Sequence, residues 1–199
     1  YLKKLNLHKG DRVAAYVPNK IETIICFLAC AKNGIIWSSC SPDFGAQGVV
    51  DRFKQIEPKV FITCDYYYYN GKKINILDKV EKILKQIPSI KKVIAFNYNK
   101  QERESLKNFI NFEETLKNDL DEVFERFEFN HPIYILFSSG TTGKPKCITH
   151  GSGNVLIEHN KEFMLHCDIR ENEKLFYYTT TGWMMWNWLV GGLATGSSI

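Results

Sequence analysis

The chain has 199 residues, 44% of them hydrophobic, 14% aromatic and 24% charged; that is enough apolar material for a packed core and excludes a disordered, collagen-like or coiled-coil chain. Twenty-six Lys and Arg against 22 Asp and Glu leave a net charge of +4, and the lysines are scattered, which argues against a nucleic-acid partner and leaves small anionic substrates open. Six cysteines without a C-x-x-C pair exclude zinc-finger spacing and read as mostly buried free thiols of a reducing compartment, the cytosol.

Leu2-Lys3-Lys4-Leu5 reads as the tail of a helix, and with Tyr1 where a Met would stand the chain is expected to begin inside a longer protein. Residues 12–17 form an apolar run ended by Pro18, and Asn19 with Glu22 three positions on is an N-terminal helix signal. Ile21, Ile24, Ile25, Leu28 and Ala31 recur at helical spacing up to Asn33-Gly34, which fits a left-handed cap. Residues 35–40 give a second strand, 41–45 a loop and 47–56 a helix before Pro58. Residues 59–64 read as a third strand, Ile74, Leu77, Val80, Leu84 and Ile87 as an amphipathic helix, and 92–96 as a fourth strand. This alternation predicts an α/β fold: a doubly wound, mainly parallel sheet with helices on both faces, whose ligands lie beyond the carboxyl ends of the strands.

Residues 97–107 are polar, and 113–128 carry seven acidic side chains, Glu113, Glu114, Asp119, Asp121, Glu122, Glu125 and Glu128. A solvated surface connection is the ordinary meaning of such a run, with a recruited basic partner as the alternative. Residues 175–199 carry no charge over a length that would span a bilayer. Three consecutive threonines, Asn187 and four glycines interrupt them, so a strand, a loop and a buried helix are expected, with no membrane span.

Residues 133–150 read I-Y-I-L-F-S-S-G-T-T-G-K-P-K-C-I-T-H, an apolar strand entering a loop of hydroxyls, glycines and two lysines. Gly140 and Gly143 allow backbone N–H groups to converge on an anion. Ser138, Ser139, Thr141 and Thr142 add neutral donors, and Lys144 and Lys146 add positive charge. The spacing is not that of a Walker A loop, because the two glycines are too close and Pro145 occupies the hydroxyl position. Proline lacks an N–H, so a second extended segment should follow, giving a hairpin-like phosphate loop; an ordinary Gly- and Ser-rich turn is the plain alternative.

The nine residues from Ser138 to Lys146, S-S-G-T-T-G-K-P-K, resemble the signature loop of the adenylate-forming enzymes, which include acyl-CoA synthetases, luciferases and peptide-synthetase adenylation domains. Further islands follow in order: Trp37-Ser38-Ser39, Ser41-Pro42-Asp43-Phe44-Gly45, Tyr69-Asn70-Gly71-Lys72 and Gly182-Trp183-Met184-Met185-Trp186-Asn187-Trp188. Together they look like the acetoacetate branch of the acyl-CoA synthetases. The resemblance implies a two-step ligase, in which a carboxylate attacks the α-phosphate of ATP and coenzyme A then displaces AMP.

It further implies that residues 1–199 are part of an N-terminal AMP-binding domain, with 1–130 a first α/β subdomain and 131–199 the start of the segment bearing the phosphate loop. The C-terminal lid, the catalytic lysine and the Mg ligands are then expected outside the chain, which would hold no catalytic residue and turn nothing over alone. By the same resemblance Ser138, Ser139, Gly140, Thr141, Thr142, Gly143 and Lys146 hold the ATP phosphates, with Lys144 a solvated neighbour. Trp183, Met184 and Met185 line the acyl pocket. Tyr69, Asn70, Gly71 and Lys72 meet coenzyme A, with Lys72 at a phosphate and Tyr69 on the adenine, although Tyr69 stands where related synthetases carry Arg; a plain Asn-Gly turn competes with that reading. Ser41-Pro42-Asp43 comes near the same site. His150, His159 and His166 read as satisfied structural residues. Another short acid such as acetate or propionate, a non-catalytic nucleotide-binding module, and a scaffold using the acidic run remain open.

Overall fold

A computed structural model describes residues 1–101, 106, 108–117, 124–138 and 143–199. After a 3-10 turn over Leu2–Leu5, the elements in order are β1 (Arg12–Tyr16), α1 (Ile21–Lys32), β2 (Ile36–Cys40), α2 (Ala46–Phe53), β3 (Val60–Cys64), β4 (Tyr66–Tyr69), β5 (Lys72–Asn75), α3 (Leu77–Gln86) and β6 (Lys92–Phe96). There follow β7 (Ile110–Asn111), α4 (Phe112–Thr115), β8 (Pro132–Ser138), β9 (Lys146–Gly151), α5 (Ser152–Lys161) with a π-helical turn over Glu162–His166, and α6 (Met184–Gly191).

Seven strands form one sheet in the order β7-β6-β3-β1-β2-β8-β9, and every pair is parallel except β8 with β9. β2 and β3 are buried along their whole length, which is why neither alternates apolar with exposed polar residues. The chain steps from β1 to β2 in one direction and from β2 to β3 in the other, so right-handed crossovers put α1 and α2 on opposite faces. On one face Phe27 of α1 packs edge-on against Trp37 and Trp186, each at 5.9 Å, so α6 lies beside α1. On the other, Phe53 of α2 meets Phe61 at 6.2 Å and Phe137 at 6.5 Å. The sheet runs across residue 130, since β8 and β9 close it next to β2.

Four local expectations change. The opening residues are not a helix tail but the 3-10 turn, stopped by Asn6 at φ 56°. Helix α1 lacks the Asn19 cap: Lys20 takes the cap position, and Asn19 Oδ1 instead accepts from Trp186 Nε1 at 2.8 Å. Ile74 belongs to β5, because Asn70 (φ 48°) and Gly71 (φ 74°) make a tight two-residue turn that folds 66–75 into a hairpin and delays the helix to Leu77. The strand expected within 175–199 is extended chain whose ladder is the single Lys174–Ser198 bridge.

Gly34 does adopt the left-handed conformation, at φ 63°. In the acidic run Glu125 pairs with Lys3 and Glu113 with Lys100, both at 3.1 Å, and Asp119, Asp121 and Glu122 lie outside the described residues. No helix among the described residues is long and apolar enough to cross a membrane.

Candidate functional site

β8 delivers Ser138 to the carboxyl end of the parallel sheet, where doubly wound folds keep their ligands. β9 returns antiparallel, setting Ser138 opposite Lys146 and Tyr134 opposite His150. β8 and β9 therefore form a hairpin, the returning strand that Pro145 led us to expect. Ser139, Gly140, Thr141 and Thr142 lie outside the described residues; Gly143, Lys144 and Lys146 are exposed. Gln55 fastens the exit, its Nε2 donating to Pro145 O at 2.8 Å and to Asp51 O at 2.7 Å.

Two sequence islands meet beside this hairpin. In the loop after β2, Tyr16 sets its hydroxyl between Pro42 O (2.8 Å) and Phe44 O (2.7 Å), and Ser41 Oγ donates to Asp43 at 2.9 Å. Burial and the neighbouring Asp43 charge push the Tyr67 hydroxyl up to about 12. The segment entering α6 is pinned to the same place: Thr181 Oγ1 donates to Val17 O at 2.7 Å, and Thr181 O accepts from Ser39 Oγ at 2.6 Å. Gly182 then passes so close that a Cβ there would lie 3.0 Å from the Phe44 ring and 3.3 Å from Ser41 N. Only a residue without a side chain fits this crossing comfortably.

Between β8–β9, α5 and α6 is a cavity of about 630 Å³. Met184, Met185 and Trp188 line it from α6, Thr149 and His150 from β9, and His159 from α5. Met184 and Met185 thus line a cavity, while Trp183, 62% exposed at the start of α6, stands outside its wall. His150 corrects one expectation. It is not a satisfied residue: its Nδ1 is buried with no hydrogen-bond partner among the described residues, and its ring lies 4.8 Å from that of Tyr134. Burial lowers the pKa of His159, so this ring is held toward its neutral form. His166 is exposed, 3.9 Å from Glu162. The helical spacing of Val155, Glu158, His159 and Glu162 could have marked a cavity-facing side of α5, but without a known partner surface that stripe had no direction.

Tyr69, Asn70, Gly71 and Lys72 form the tip of the β4–β5 hairpin, with Tyr69 paired to Lys72 and 58% exposed. The hairpin leaves the carboxyl end of β3 through buried Asp65, which accepts from the backbone N–H of Tyr66 and Tyr98, each at 2.8 Å, and from Asn97 Nδ2 at 3.0 Å. Behind the tip, the Tyr98 ring lies 5.2 Å from Tyr66 and 5.5 Å from Tyr68; Lys73 stands 3.9 Å over Tyr66 and Lys20 4.3 Å over Tyr98. The four tip residues and the β8–β9 hairpin therefore share one end of the sheet. Among the described residues no three His, Cys, Asp or Glu side chains converge as a metal site.

The whole chain, residues 1–199, matches the family described as AMP-binding enzyme. It is 48% identical over 204 residues to acetoacetyl-coenzyme A synthetase of Rhizobium meliloti, covering 100% of this chain and 31% of that protein. It is 38% identical over 210 residues to a malonamoyl-CoA synthetase of Penicillium aethiopicum, covering 100% of this chain and 29% of that protein. Among solved structures, acetoacetyl-CoA synthetase from Streptomyces lividans matches with a TM-score of 0.95 and 42% identity, over 100% of this chain and 30% of that one. The chain thus spans under a third of the length of these relatives.

Proposed function

Because the chain belongs to the AMP-binding enzyme family, we propose that the protein is an acid–thiol ligase converting acetoacetate, ATP and coenzyme A to acetoacetyl-CoA, AMP and pyrophosphate. A carboxylate is a poor electrophile. Its oxygen attacks the α-phosphorus of ATP, the bond to the β-phosphate oxygen breaks, and pyrophosphate leaves with that electron pair. The thiol of coenzyme A then attacks the acyl carbon of the mixed anhydride, AMP departs, and the thiol proton is lost.

In this reading Ser138, Ser139, Gly140, Thr141, Thr142, Gly143 and Lys146 grip the β and γ phosphates and stabilise the departing pyrophosphate. Preorganised donors of this kind are worth about 3 kcal/mol each. Met184 and Met185, with Trp183 beside them, shape the acyl pocket, supported by the cavity that the two methionines line. Tyr69, Asn70, Gly71 and Lys72 receive coenzyme A, supported by their exposure at the same end of the sheet. Mg2+ would neutralise phosphate charge, but the described residues offer no acidic or imidazole cage for it. Six free cysteines, four of them buried, support a reducing compartment such as the cytosol.

The observation that carries the reading is the β8–β9 hairpin, which sets Ser138 opposite Lys146 where the sheet ends. The test is pyrophosphate release and thioester formation by the intact protein with acetoacetate, acetate and propionate. Acetoacetate should give the highest kcat/KM, and Lys146→Ala should lower kcat about 100-fold. Preference for acetate or propionate would replace the acid in this reading. ATP binding without release for any acid would replace the ligase by a nucleotide-binding module.

A further inference from the structure

Resting on the ligase reading above, we propose that His150 is a specificity-determining residue, donating a hydrogen bond to the carbonyl at the third carbon of the acid and so selecting 3-oxo acids over plain short acids. The cavity lined by Met184 and Met185 is apolar on the α6 side and needs a polar group to tell an oxo acid from its hydrocarbon analogue. His150 lines the opposite wall, from β9, and its Nδ1 is buried with no hydrogen-bond partner among the described residues. A hydrogen bond from this ring to a bound carbonyl would therefore be made through Nε2.

The polar side chains that α5 and its π-helical turn give to the wall are engaged or closely packed, Asn154 Nδ2 donating to Asn130 Oδ1 at 3.4 Å, while the Tyr134 and Thr149 hydroxyls flank His150. Glu158 and Glu162 both pair with Lys161, each at 3.0 Å, and His159 is packed against Gly191, where any side chain would collide with its Nδ1.

Position and chemistry agree. His150 lies four residues along β9 from Lys146, about 13 Å at roughly 3.3 Å per residue, a span suited to phosphates at the hairpin and an acyl tail reaching inward. The relatives named for acetoacetyl-CoA and malonamoyl-CoA make thioesters of acids that differ at the terminus, methyl against amide, yet share a carbonyl at the third carbon. A donor aimed at that oxygen serves both.

The experiment compares acetoacetate with butyrate, which has the same length without the oxo group, using the intact protein. The ratio of their kcat/KM values should fall about tenfold in His150→Leu, the equivalent of one hydrogen bond near 1.4 kcal/mol, and be largely kept in His150→Gln, which retains an amide donor. In the wild-type protein with isotope-labelled histidine, the His150 Nε2 resonance should move on saturation with acetoacetate and not with butyrate, a readout that needs no variant to fold. An unchanged ratio in a folded His150→Leu protein, or an unmoved resonance, overturns the proposal while the ligase reading stands. A wild-type protein that does not prefer acetoacetate over acetate replaces the acid and ends this inference while the ligase reading stands; ATP binding without pyrophosphate release for any acid ends the ligase reading, and this inference with it.

Discussion

Replacing Ser39 by Ala tests whether one buried hydroxyl fixes the entry to α6. Ser39 Oγ donates to Thr181 O at 2.6 Å and accepts from Trp37 Nε1 at 3.0 Å. Ser39 is 5% exposed, Trp37 1% and Thr181 0%, so water cannot replace either bond. Stranding a buried polar group costs about 1–3 kcal/mol, and two of them give a loss of roughly 2–6 kcal/mol. The bond to Thr181 acts on the entry to α6, where Trp183 N donates to Thr180 O at 3.1 Å and Trp186 N to Trp183 O at 3.0 Å. Losing about 1.4 kcal/mol there should speed amide exchange of these two groups about tenfold, read by hydrogen exchange and mass spectrometry on the peptide spanning 180–188 of the intact protein. Ser38→Ala is the control, since Ser38 Oγ donates instead to Ile135 O at 2.8 Å and should loosen β8 alone. Unchanged exchange in Ser39→Ala, or equal acceleration in Ser38→Ala, refutes the reasoning.

Gly34→Ala forces a side chain onto a residue at φ 63°, with its Cβ 2.6 Å from the Phe127 ring and 3.2 Å from His131 Nε2; a stability loss of roughly 2 kcal/mol or more is expected as a lowered Tm. His159 supplies a pH dependence. Burial lowers its folded pKa below the ordinary 6.5, against the opposing influence of Glu158 and with a smaller contribution from His150 in the same direction. The unfolded chain therefore binds the proton more readily, so this contribution to stability is complete above pH 6.5 and is lost as pH falls through the folded value. His159→Gln should flatten the acid side of a Tm-against-pH curve; an identical acid slope in the variant would remove His159 from the account.

Much of the fold was legible because parallel strands buried on both faces leave runs that do not alternate with exposed polar residues, and because Pro18, Gly34 and Pro58 punctuate them. Pro145 alone was enough to anticipate a returning strand after the loop. What failed was what depends on partners far along the chain. Asn19 looks like a helix cap until Trp186, 167 residues away, takes its oxygen. Ile74 fits a helical stripe until the Asn70-Gly71 turn claims it for a hairpin. His150 is one imidazole among several in the sequence, and only burial of its Nδ1 without a partner among the described residues separates it from the others.

The antiparallel return of β9 has a practical side. It ends the sheet order with six residues whose outer rim carries unpaired amides and carbonyls, with Ile148 46% exposed, whereas the opposite border is the two-residue β7. Long open rims invite like to add to like. A recombinant product of this 199-residue stretch should accordingly self-associate in a concentration-dependent way, and a charged or proline replacement at Ile148 is the simplest way to keep it dispersed for spectroscopy.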